Sequence, residues 1–103
     1  MAGGTLGAMA LEPNENTVLF TTPVTAKGFM TVNICFANRS RGETAEAYIY
    51  ITPDAVTDAS CFEPGGDIPP RGSLERYGVA ISSGDKVVVR TTGSSVTARI
   101  HGM

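Results

Sequence analysis

The stretch FMTVNICFAN, residues 29–38, decides the fold. Met30, Val32, Ile34 and Phe36 recur at every second position while Thr31, Asn33 and Cys35 alternate with them. That is the period of a strand with one face on a core. No window sustains apolar residues at i, i+3, i+4 and i+7, so helix does not compete. Just downstream, Asn38-Arg39-Ser40-Arg41-Gly42 supplies turn-forming residues, and AEAYIYIT, residues 45–52, resumes the alternation. Ala45, Ala47, Ile49 and Ile51 share one face, with Tyr48 and Tyr50 on the other. The two strands are expected to pair as a hairpin. Two amphipathic rings on one outer face make the tyrosine face a candidate contact surface.

Residues 17–20 read as a short strand before a reversal at Lys27-Gly28. Residues 74–81, 86–92 and 96–102 are three further strand-length runs, separated by Ser82-Ser83-Gly84-Asp85 and Gly93-Ser94-Ser95, and together they read as a β-meander. Residues 53–71 contain Pro53, Pro64, Pro69 and Pro70, Gly65-Gly66 and four carboxylates without periodicity, which predicts a long surface loop. Residues 1–13, rich in Gly and Ala and nearly uncharged, are expected to be an extended N-terminal arm that orders against a partner. The expected fold is all-β: an antiparallel β-sandwich or jelly-roll-like single domain over residues 14–103, preceded by that arm.

Bulk properties narrow the function. At 103 residues with 42% apolar and 17% charged side chains, the chain has enough apolar surface to fold around one core. A net charge of −2 provides no electrostatic drive toward nucleic acid or anionic membrane, and neither partner is expected. No apolar run approaches the roughly 20 residues of a membrane-spanning helix, and no basic n-region precedes the small apolar residues at the start, so neither export nor anchoring is expected.

Chemistry-bearing residues are sparse. His101 alternates with Ile100 in a strand run and has no partner motif, which favours an ordinary strand residue over a ligand or a base. Asp54, Asp58, Glu63 and Asp67 match no calcium-loop spacing and read as a solvated acidic loop. Gly65-Gly66 precedes Asp67 and Pro69 instead of a helix start, so it is not a phosphate cradle. Cys35 and Cys61 are expected to be free thiols, one buried and one in the loop, in place of a disulfide. Arg39 and Arg41 project from the turn after the first strong strand; with Tyr48 and Tyr50 they are the candidate partner-binding residues. No cofactor, no metal and no catalysis are expected.

The run Thr31-Val32-Asn33-Ile34 through Asn38-Arg39, then Leu74-Glu75-Arg76-Tyr77-Gly78, Gly84-Asp85 and residues 96–102, resembles small bacteriophage virion proteins, namely capsid cement or tail-associated β modules. The resemblance runs over residues 29–102 apart from the proline-rich segment. It implies a structural role in the virion, assembled in the host cytoplasm, with the major capsid protein or other virion proteins as partners and self-association, for example as a trimer. A decoration or cement protein is the leading expectation. A tail, baseplate or fibre module is the alternative within the virion. A carbohydrate-binding sandwich using Tyr48 and Tyr50 as ring platforms is the alternative outside it, weakened by the absence of tryptophan.

Overall fold

A computed structural model describes residues 5–23, 29–57 and 60–102. Among the described residues eight strands follow in chain order: β1 (Thr5–Ala10), β2 (Thr17–Thr21), β3 (Phe29–Asn38), β4 (Ala45–Thr52), β5 (Cys61–Ile68), β6 (Ser73–Ser82), β7 (Lys86–Thr91) and β8 (Val96–Gly102). They form two four-stranded antiparallel sheets, ordered β1-β8-β3-β6 and β2-β7-β4-β5. β1 pairs with β8, β2 with β7, β3 with β6 and β4 with β5. The topology is thus one long antiparallel hairpin folded over on itself, closed by the inner pairings β3–β8 and β4–β7. This is the eight-stranded jelly roll, a β-sandwich whose chain repeatedly crosses between sheets.

The alternation in β3 falls as expected. Val32, Ile34 and Phe36 are fully buried and Met30 packs against the same core. From the facing sheet, Ala45, Ala47, Ile49, Val87 and Val89 complete it, and Ile51 is partly buried beside them.

Three expectations are corrected. β3 and β4 do not form a hairpin, because they lie in different sheets, and β6, β7 and β8 are not a meander for the same reason. The apolar periods were right, but a period does not state which sheet a strand joins. The proline-rich segment contains β5, an edge strand paired only with β4, where Pro64 and Gly65 sit at register shifts. Proline is tolerated at an edge and at a bulge because its missing N–H need not serve a ladder.

The N-terminal arm is corrected as well. Thr5–Ala10 is β1, paired with β8, and Leu11 is 4% exposed in the core with Met9 packed beside it. Gly7 is small for a packing reason: a Cβ there would lie 2.6 Å from the Leu19 carbonyl oxygen on β2, so only glycine lets the two sheet edges close. The fold therefore begins before the expected boundary at Pro13. Residues 1–4 of the expected arm lie outside the described residues.

One end of the sandwich gathers the connections after β1, β3, β5 and β7. There Leu11 N–H donates to Val96 O at 2.9 Å, Arg39 N–H to Ser95 O at 2.8 Å and Arg71 N–H to Ser40 O at 3.0 Å. Asn38, 4% exposed, stitches this end together. Its Nδ2 donates to Glu43 O at 2.7 Å and Ile68 O at 3.0 Å, and its Oδ1 accepts from Ser40 N–H at 3.0 Å. A buried amide with these contacts satisfied fixes a loop that would otherwise leave carbonyls unpaired.

Candidate functional site

The outer face of the β2-β7-β4-β5 sheet is built by register. Tyr48 pairs with Arg90 on β7 and Pro64 on β5; Tyr50 pairs with Val88 on β7 and Cys61 on β5; Val88 pairs in turn with Val18 on β2. Cross-strand partners share a face, so two rows cross the sheet: Pro64, Tyr48 and Arg90, then Cys61, Tyr50, Val88 and Val18. Val88 points away from the core, between the core residues Val87 and Val89, yet it is only 4% exposed, because the neighbouring side chains cover it. Val18 at the end of that row is 47% exposed.

Tyr48 is held on several sides. The Arg90 guanidinium carbon lies 4.4 Å from its ring centroid. Arg90 Nε is buried without a hydrogen-bond partner, and the ring face supplies its electrostatic compensation. On β5, a Cβ added to Gly65 would approach Tyr48 Cε2 to 3.3 Å, so the absent side chain is what lets the ring lie down. The Tyr48 hydroxyl reaches Glu46 Oε1 at 3.4 Å. Sequence placed Arg90 on a strand but held no sign of this stack, because the register between β4 and β7 is a tertiary outcome.

The four predicted contact residues divide into two groups. Tyr48 and Tyr50 are half-buried neighbours on the outer face, whereas Arg39 and Arg41 are exposed in the β3–β4 connection at the end of the sandwich. Arg39 and Arg41 are not part of the tyrosine face.

The opposite outer face holds Cys35, flanked in register by Glu75 on β6 and Arg99 on β8. Burial pushes its thiol above the ordinary value, the Glu75 carboxylate adds to the rise, and Arg99 opposes it. Cys35 and Cys61 are both free and occupy opposite outer faces, on sheets that pack about 10 Å apart, which is beyond disulfide reach. Cys61 is exposed on β5, not in a loop.

The four carboxylates do not converge: Glu63 points inward to Arg76, Asp67 pairs outward with Glu46, and Asp58 lies outside the described residues. Among the described residues no group of three or more His, Cys, Asp or Glu comes together. His101 is a half-buried strand residue between Thr5 and Asn33.

Sequence reading missed Tyr77. Its motif places Tyr77-Gly78 opposite the single residue Asn33, and Gly78 N–H donates to Asn33 Oδ1 at 3.0 Å. This bulge leaves the Tyr77 side chain 69% exposed. The only available signal was Gly78, whose φ of +65° suits glycine.

No protein-family model and no curated protein matches the sequence. Among solved structures, a pentameric capsid protein isolated from metagenomic phage sequences is similar, with a TM-score of 0.37 and 18% identity over 94% of this chain. The chain spans 61% of the length of that protein.

Proposed function

We propose that the chain is a structural protein of a phage particle, which decorates the shell and stabilises it by laying the tyrosine face on neighbouring capsid subunits. The observation that carries this reading is the accessible part of that outer row, Cys61, half-buried Tyr50 and Val18, which lies around the covered Val88 with the Tyr48 ring beside it. Rigid aromatic side chains on a flat sheet lose little entropy when covered, which suits them to protein contact. The jelly roll supports the reading as a fold that recurs in capsid domains, although it also occurs in lectins and cupins. The motif residues Asn33, Asn38, Arg76 and Gly78 hold that frame in place.

A glycan platform is less well supported, because Arg90 already covers the Tyr48 ring. The test is a paired thermal melt of particles with the protein, without it, and with a Tyr50→Thr variant. A binder of the assembled shell adds RT ln(1 + [L]/Kd) per site, about 2.7 kcal/mol at a hundredfold excess over Kd. Particles should therefore disassemble at a higher temperature when occupied. Equal disassembly temperatures at full occupancy would remove the stabilising role.

A further inference from the structure

The outer face of the β1-β8-β3-β6 sheet lies opposite the tyrosine face, and register lays it out. On β8, Arg99 and His101 alternate with the buried Ala98 and Ile100; on β3, Asn33 and Cys35 alternate with the buried Val32, Ile34 and Phe36. On β6, Glu75 and Tyr77 flank Arg76, which reaches inward to Glu63. Pairing sets these residues in two rows: Arg99, Cys35 and Glu75, then His101, Asn33 and, at the bulge, Tyr77. The next row, Thr97, Ala37 and Ser73, is short and uncharged, as are the outward Ala8 and Ala10 of β1.

β3 therefore runs between a cation on β8 and an anion on β6, each one strand spacing away, with exposed Arg99 and Glu75 at one level. One level along, the most exposed ring, Tyr77 at 69%, stands on the β6 side and half-buried His101 on the β8 side. The other exposed carboxylates of the edge strands, Glu46 and Asp67, belong to the opposite face. Arg39 leaves the face at the end of β3, where its N–H donates to Ser95 O over the end of the sandwich.

This arrangement is its own complement. A two-fold axis lying in the contact and running along β3 exchanges the β8 and β6 positions of two facing copies. It sets Arg99 on Glu75 twice, and the Tyr77 ring of each copy on His101 of the other. An axis across the strands would instead set Arg99 on Arg99 and Glu75 on Glu75. We propose that two copies of this chain pack face to face through this sheet, about an axis along β3. Facing sheets pack with their strands nearly aligned, which this axis permits, and a two-fold contact uses the same patch on both copies. A patch three strands wide lies at the low end of interface sizes, so the contact is weak in isolation. It leaves the tyrosine face open and is independent of shell binding.

The experiment is sedimentation of the full chain at low salt, with reductant so that no disulfide joins copies, up to about 1 mM, which populates even a millimolar contact. Wild type should reach a dimer, no larger, that weakens as salt is raised. Glu75→Arg and Arg99→Glu each turn two attractive pairs into two repulsive ones and should weaken it about tenfold or more. The double reversal, Arg99→Glu with Glu75→Arg, should restore it. Tyr77→Ser should weaken it without changing charge, and thermal unfolding of each variant checks that the fold survives, as expected for exposed positions. Timed alkylation identifies the face: labelling of Cys35 should slow as wild-type concentration rises, while Cys61, on the opposite face, keeps its rate. A wild type that stays monomeric throughout would overturn the proposal. So would a dimer that the single reversals leave intact, a folded double reversal that stays monomeric, or slowed labelling at Cys61 in place of Cys35. The particle melts report the tyrosine face and are unaffected by any of these results.

Discussion

Arg76 Nε donates to Glu63 Oε1 at 2.6 Å, joining edge strand β6 of one sheet to edge strand β5 of the other. The Arg76 side chain is 36% exposed and that of Glu63 only 12%, so solvent screens the cation more than the anion. Such a pair contributes little net stability, but removing one partner strands the less solvated carboxylate. Arg76→Met should lower stability by about 1–2 kcal/mol in urea unfolding. Adding Glu63→Leu should recover most of the loss. If the double variant is no more stable than the single, the bridge is not what holds these edges.

Gly78 tests the bulge that presents Tyr77. A Cβ there meets no atom within 4 Å, so Gly78→Ala introduces no clash and its cost is the left-handed conformation alone, about 1–2 kcal/mol. The Tyr77 resonances should shift along with the loss, as the bulge relaxes. An unchanged melting temperature would show that β6 follows another register.

Gly7 provides the opposite case. Its Cβ would lie 2.6 Å from a backbone oxygen that no side-chain rotation can move, so Gly7→Ala must displace β1 from β2. We expect a loss of about 1–3 kcal/mol, together with faster hydrogen exchange in β1. A neutral substitution would restore the N-terminal segment to an arm outside the sandwich.

The residues that were legible in sequence are those whose environment is set by their own strand. Val32, Ile34 and Phe36 announce a core face because period two is local, and Tyr48 and Tyr50 announce an outer face for the same reason. What period two cannot encode is partnership. The chain leaves β3 through Asn38 and enters β4 in the other sheet, and the same turn residues would serve a hairpin. Edge strands were the second gap. In β1 Gly7 must pass Leu19 and interrupts the strand signal, and in β5 Pro64 and Gly65 mimic a loop. Tyr48 was readable as lying on the outer face, but its stack on Arg90 depends on the register between β4 and β7, which lie far apart in the chain.

The two thiols should react in a fixed order. Cys61 is exposed at the sheet edge, whereas Cys35 is half-buried and its thiol is held above the ordinary value by burial and by Glu75. Because the thiolate is the nucleophile, alkylation near neutral pH should label Cys61 first and Cys35 slowly. The raised value also fixes a sign: the neutral Cys35 thiol favours the fold below the ordinary thiol value, and that contribution is lost as pH rises through the folded value. Cys35→Ala should therefore flatten the alkaline side of the stability profile. Mass spectrometry after timed alkylation reads the order, and equal labelling rates would contradict the placement of Cys35.

Tyr48 and Tyr50 are alike in sequence but have different work in the fold, and this separates stability from binding. Tyr48 is built in: its ring carries Arg90, lies over Gly65 and reaches Glu46. Tyr48→Ala removes the ring and leaves Arg90 Nε, already without a hydrogen-bond partner, without its ring face as well. We expect a loss of about 2–3 kcal/mol from packing and the lost cation–π contact together. Tyr50 sits beside Val88, with Cys61 on its other side, and its loss uncovers only part of an apolar row. Tyr50→Thr keeps a β-branched strand former in place and should cost within about 1 kcal/mol. If the tyrosine face is the contact surface, Tyr50→Thr should lower occupancy on the particle at nearly full stability, and Tyr48→Ala should lower stability whether or not the particle is present. Retained occupancy in both variants would mean that the particle is held through another face of the protein.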